Sequence, residues 1–217
     1  MGSNGTETFA QSLAALKRRG CSLLVVGAAP DTAVDVCGRL LGNAVAGPRR
    51  RVVVLAGATP GAGERLSTSA SDPVPDRELL RVIDRRGPTR SGPATEAETG
   101  TAARPVGLKS LEADVERAIA ELEPEQGLDP AELRVCLDSV GPFLDANGAD
   151  RTRALLATLD DHTRAHDGMF HAHLPLPHGT PRVETLSDPF DAVVELRPDE
   201  QRWHVLDEGL TTDWLSL

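Results

Sequence analysis

The sequence predicts an α/β fold of three layers: a mostly parallel central sheet between helices, with a β-hairpin at its C-terminal end. Three observations carry this expectation. Short continuous apolar runs recur along the chain, "CSLLVVG", "RVVVLAG", "ELRVCLDSV" and "GMFHAHLPL", as strands buried on both faces require. Amphipathic stretches of helical period alternate with them. Finally, "DAVVELRPDEQRWHVLDE" is two strand-like runs around a polar turn containing Pro198, which reads as a hairpin. Strands alternating with helices place helices over both faces of one sheet.

The elements follow in order. "TETFAQSLAALKRR" sets Phe9, Leu13 and Leu16 at helical spacing, with Thr6 as cap and Gly20 as stop, so a helix is expected over Thr6 to Arg19. The run from Cys21 is the first buried strand. In "APDTAVDVCGRLLG", Asp31 is the expected cap, Val34, Cys37, Leu40 and Leu41 the apolar positions, and Gly42 the terminator of a second helix. "RVVVLAG" then completes a strand, helix, strand crossover unit. Between Ser67 and Pro105 the character changes. From Gly87 to Pro105 no side chain is both apolar and larger than alanine or proline, so this stretch cannot bury enough surface to offset its ordering entropy, and a disordered insertion over 67–105 is expected. Within it, "RELLRVIDRR" fits an edge strand or a helical turn equally well. "KSLEADVERAIAELE" resumes the pattern, with Ser110 as cap and Leu111, Val115, Ala118, Ile119 and Leu122 along one face. A strand ending at Asp138, a helix from Asp150, the strand "GMFHAHLPL" and the hairpin complete the sheet.

A chain of 217 residues has room for one well-buried core, so residues 1–217 read as a single domain. Its 33 acidic residues against 23 basic ones leave a net charge of -10, which excludes a nucleic-acid partner held mainly through phosphates. Lys17 and Lys109 are the only lysines, tyrosine is absent, and acidic residues abound. That is the profile of a protein from a salt-loaded cytoplasm, although a GC-rich gene gives the same arginine bias. Cys21, Cys37 and Cys136 are odd in number, widely spaced and beside apolar residues, which fits buried free thiols rather than a disulfide framework. The N-terminal "MGSNGTETFAQSL" has no basic start and no apolar core, and no run reaches the roughly 18 apolar residues of a membrane span, so a cytoplasmic protein without membrane partners is expected.

The stretch "ATPGAGER" nearly fits the phosphate-loop pattern, with Ala58 opening and Gly63 closing. Glu64 stands where lysine is needed, however, and Arg65 where serine or threonine is needed. The order of elements points elsewhere. "LRVCLDSVGPFLDANG", "TRALLATLDDHTRAHDG" and "VETLSDPFDAVVELRPDEQRWHVLDEG" resemble the corresponding stretches of KaiC-like ATPases of the RecA superfamily, most closely the degenerate KaiC-like proteins of halophilic archaea. The resemblance covers most of the chain outside the insertion and implies a RecA-like three-layer sandwich. It also implies that the nucleotide loop follows the first strand, starting at Gly27. Laid on "GAAPDTAV", the family pattern puts Thr32 at the second glycine, Ala33 at the lysine and Val34 at the magnesium-binding hydroxyl. Losing one charged hydrogen bond costs roughly 1.5–3 kcal/mol, and every 1.4 kcal/mol is about tenfold in affinity. Without lysine, hydroxyl and glycine together, useful nucleotide affinity is not expected. Asp138 and Ser139 do match the family's Walker B position, where the aspartate helps hold magnesium; with no loop to hold a nucleotide, an aspartate capping the turn after the strand is the favoured reading.

Five histidines, His162, His166, His171, His173 and His178, crowd one stretch. His171 and His173 share a face if "FHAHL" is a strand, and two imidazoles on one face could hold zinc. Zinc needs three or four ligands, and the cysteines lie far off in sequence. His162 and His166, spaced as neighbours on a helix, form a second pair that could belong to another layer. Cys37 within a helix pattern and Cys136 within a strand suit burial better than nucleophilic attack.

These readings imply a non-catalytic KaiC-like pseudo-ATPase without cofactor. It would act on protein partners as a regulatory or scaffolding protein, signal transduction included, and could form homo-oligomers. The alternatives are a divergent nucleotide binder using Gly27, Asp138, Ser139, ATP and magnesium, and a metal-binding module centred on His171 and His173.

Overall fold

The computed structural model describes residues 20–42, 47–57, 77–86 and 107–217. The helix expected over Thr6 to Arg19, the "ATPGAGER" turn and the stretch from Gly87 to Pro105 lie outside the described residues. Strands β1 (Cys21–Val26), β2 (Arg50–Leu55), β3 (Leu80–Asp84), β4 (Leu133–Asp138), β5 (Met169–Leu174), β6 (Ala192–Arg197) and β7 (Glu200–Val205) form one sheet with the short strands β8 (Leu210–Thr211) and β9 (Leu215–Ser216). The order across it is β3-β2-β4-β5-β1-β6-β7-β8, with β9 also on β7. From β3 to β6 every pairing is parallel; β6 and β7 form an antiparallel hairpin. The sheet is therefore mostly parallel, as its apolar runs require.

Among the described residues five helices join the strands: α1 (Pro30–Leu40), α2 (Leu108–Leu122), α3 (Gly141–Asn147), α4 (Ala149–Arg164) and α5 (Pro181–Ser187). The alternation of side chains along each strand assigns the faces. Leu24, Val26, Val52 and Val54 point into the larger core with α2, α3, α4 and α5, where Phe143 and Phe170 are wholly buried. Each such aromatic contributes about 1.5–3 kcal/mol on burial. Leu23, Val25 and Val53 point the other way, toward α1.

Several local expectations change. Asp31 is not the cap of α1: the helix opens on Pro30 with Ala29 at the cap position, because proline has a suitable fixed φ and lacks only an amide that would have no helical partner. Asp31 lies in the first turn, where its charge still favours the helix dipole. Ser110 is not a cap either; α2 begins at Leu108, and the Ser110 hydroxyl donates back to the Gly107 carbonyl. The expected 67–105 insertion contains ordered structure, since "RELLRVIDRR" is both alternatives in succession, a helical turn (Arg77–Leu79) and then β3 beside β2. Helices α3 and α5 are too short for their periodicity to show in the sequence.

Candidate functional site

The connections from β1 and β5 leave in opposite directions, β1 toward β2 on one side and β5 past β1 to β6 on the other. Such a divergence opens a crevice at the C-terminal strand ends, the customary ligand position of parallel sheets. Gly27 stands there, with φ +116°. Its amide donates to the Leu176 carbonyl at 2.8 Å. Only Gly27, Ala28 and Ala29 separate β1 from α1. A phosphate seat is made of free backbone amides at a helix N-terminus, but here Gly27 has committed its amide and Pro30 has none. Thr32 is buried, and its hydroxyl accepts from the Asp199 amide at 3.2 Å. The turn of the β6–β7 hairpin thus meets the first turn of α1. Ala33 and Val34 are half-buried.

Asp138 ends β4 and is 1% exposed; Ser139, joined to it by a cis peptide bond, is also buried. The Asp138 carbonyl accepts from the Ala56 amide at 2.5 Å, and the Ser139 amide donates to the Ala56 carbonyl at 3.0 Å, which ties the end of β4 to the end of β2. Gly27, Asp138 and Ser139 therefore share the C-terminal edge.

Below that edge, on the α1 side, the structure joins residues that the sequence kept apart. Strands β4 and β5 lie side by side with Cys136 opposite His171 and Asp138 opposite His173, so Cys136, His171 and His173 share one face. Cys37, on the sheet-facing side of α1, descends onto them. Its sulfur lies 3.6 Å from the Cys136 sulfur and 3.5 Å from the His171 Nε2. The ligand-capable atoms of all four residues lie within 4.8 Å of one another. All four are buried, and the two imidazoles meet edge to face at 5.4 Å between centroids. The Cys136 hydrogen bond holds the Cys37 thiol well below the ordinary thiol range against the opposing effect of burial, helped by His173 and His171. Burial pushes His171 below the ordinary imidazole value, which favours its neutral form. His173 Nε2 is shut off from solvent and has no hydrogen-bond partner among the described residues.

Residues 20–196 match the model of a family of unknown function, DUF7504. The chain belongs to this family. No curated protein matches the chain. The DUF7504 match runs from just before β1 to the penultimate residue of β6, so it contains Cys37, Cys136, His171 and His173 together with Gly27, Asp138 and Ser139, and leaves β7 outside.

The remaining histidines separate from this cluster. His162 lies on α4 and His166 beyond that helix's end, so they are not a helical pair; His166 faces Glu123 at 3.4 Å. His178 stacks on His204 with centroids 4.1 Å apart, and these two with Glu195 form a second, more exposed group. Glu195 accepts from Arg202 at 2.8 Å and contacts His204 Nε2 at 3.1 Å. Burial raises the Glu195 carboxyl, but the hydrogen bonds from Arg202 and His204 outweigh it and hold the group below its ordinary value. Burial lowers His204, with the facing His178 adding to the effect. The two directions act alike on stability. A base with a lowered folded-state value is stabilising at neutral pH and loses that contribution as pH falls through the unfolded value of about 6.5; a lowered carboxyl loses its own on further acidification. The melting temperature is therefore expected to fall between about pH 7.5 and pH 5.5. His204→Gln should flatten that slope, and an identical slope in wild type and variant would contradict the assignment.

Proposed function

We propose that this chain is a RecA-like, KaiC-like domain without nucleotide chemistry, a non-catalytic regulatory or scaffolding protein that works through its surfaces on protein partners. The observation that carries this reading is the β1–α1 turn. It has three residues and opens into Pro30, the Gly27 amide is committed to the Leu176 carbonyl, and the hairpin turn meets the first turn of α1 through the Asp199 amide and the Thr32 hydroxyl. The order β2-β4-β5-β1-β6, with Gly27 and Asp138 at one edge, supports kinship with RecA-type ATPases. The content of that edge supports loss of their activity. The net charge of -10 favours protein surfaces over nucleic acid as partners.

The test is calorimetric titration of ATP with magnesium into the full chain in molar potassium chloride. No heat from protein shown to be folded in the same buffer is the expected result. Binding tighter than about 100 micromolar, about -5.5 kcal/mol, would overturn it; if Asp138→Ala then abolished that binding, the chain would be a divergent magnesium–nucleotide binder.

A further inference from the structure

We propose that Cys37, Cys136, His171 and His173 are the four ligands of one buried zinc ion that clamps α1 to the sheet. The inference is independent of whether a nucleotide binds. Two thiols and two imidazoles are the donor set of closed structural zinc sites, where zinc–sulfur bonds are about 2.3 Å and zinc–nitrogen bonds about 2.0–2.1 Å. A regular tetrahedron with those bond lengths separates two sulfurs by about 3.8 Å and a sulfur from a nitrogen by about 3.6 Å. The observed separations are 3.6 Å for Cys37 to Cys136 and 3.5 Å for Cys37 to His171. The remaining pairs lie within 4.8 Å, so small side-chain rotations bring every donor to bonding distance.

Burial agrees with this geometry. Zinc takes thiolate and neutral imidazole, so binding releases the thiol protons. The orphaned Nε2 of His173 is the donor that a metal would satisfy. Magnesium and calcium seek oxygen donors and do not suit this set. All four residues are at most 4% exposed, so the ion would have no position open to substrate, and the site is structural rather than catalytic. Its ligands come from α1, β4 and β5, the same helix that a bound nucleotide would otherwise anchor.

The measurement is elemental analysis of the full chain, purified without a metal-affinity resin and held under reducing conditions. One zinc per chain is expected, falling to background in Cys136→Ser and in His173→Gln, while Cys21→Ser, which alters a thiol outside the cluster, retains it. Because a ligand variant can fail to fold, a second measurement uses the wild type alone. The zinc is removed by chelation and cobalt(II) is titrated in. Tetrahedral cobalt with two thiolates gives intense visible bands and a sulfur-to-metal charge-transfer band. Stoichiometric growth of both bands, reversed by zinc, is the expected result. Folded wild type that neither carries nor takes up metal would overturn the proposal, the four groups then being a hydrogen-bonded thiol and imidazole cluster. Cobalt binding without the charge-transfer band would overturn it as well, and would place the ion at the sulfur-free group of His178, Glu195 and His204.

Discussion

Arg164→Met is expected to lower the unfolding free energy by about 3–5 kcal/mol, because it strands two buried carboxylates. Arg164, in the last turn of α4, bonds Asp160 at 2.8 Å and Asp191 at 2.5 Å. Both acids are more than nine-tenths buried, and Asp191 also accepts from the Ser22 amide of β1 at 2.8 Å. The arginine therefore ties α4, β1 and the entry to β6 through one guanidinium. Burial already raises Asp160 above the ordinary carboxyl value even with Arg164 beside it. Removing the cation raises it further. A raised folded-state value gives stability that is present at low pH and lost as pH rises, so the deficit of the variant should be larger at about pH 8 than at about pH 5. Urea unfolding at fixed potassium chloride measures both effects. Arg153→Met is the comparison. Its pair with Asp188 is 45% and 73% exposed, and its loss should stay within about 0.5 kcal/mol. Equal effects at the two positions would refute the argument.

Gly27→Ala is expected to cost about 2–4 kcal/mol, the sum of backbone strain and overpacking. At φ +116° an L side chain is strained, and its Cβ would drive into the Leu196 carbonyl oxygen of β6. Gly179→Ala separates the two causes: φ is +79° but no atom lies within 4 Å, so only the strain should appear, about 1 kcal/mol. The measurement is chemical denaturation without nucleotide. If Gly27→Ala unfolds at the Gly179→Ala midpoint, the approach of β1 to β6 is not the reason for glycine. The fold gives Gly27 a use of its own, the passage of one backbone against another.

Strands β1, β2, β4, β5, β6 and β7 were legible in the sequence because each announces itself locally, as "CSLLVVG" and "RVVVLAG" do, whereas β3 left strand and helical turn open and the two-residue β8 and β9 are too short to show. His171 and His173 were legible as a pair for the same reason, two residues apart in one strand. Cys37 and Cys136 were not. Their membership of the cluster depends on β4 lying against β5 with Cys136 opposite His171, and on α1 packing over that pair. Neither relation leaves a mark on the neighbouring residues. The capping of α1 failed for a smaller reason, since Asp31 competes with Pro30 for the same turn and proline fixes the first helical φ. The contact of Thr32 with the Asp199 turn likewise joins opposite ends of the chain.

The strand order also bears on how this chain can be made. As the polypeptide leaves the ribosome, β3 and then β4 can each pair with β2, which lies between them in the sheet. Strand β1 cannot: both of its partners, β5 and β6, are among the later segments to emerge. The most apolar of the described strands must therefore wait unpaired until β5 and β6 have emerged, an interval in which exposed strands are prone to pair with the wrong chain. Here vectorial synthesis and sheet order run against each other, and a chaperone binding "CSLLVV" during that interval would protect the nascent chain without touching the finished protein.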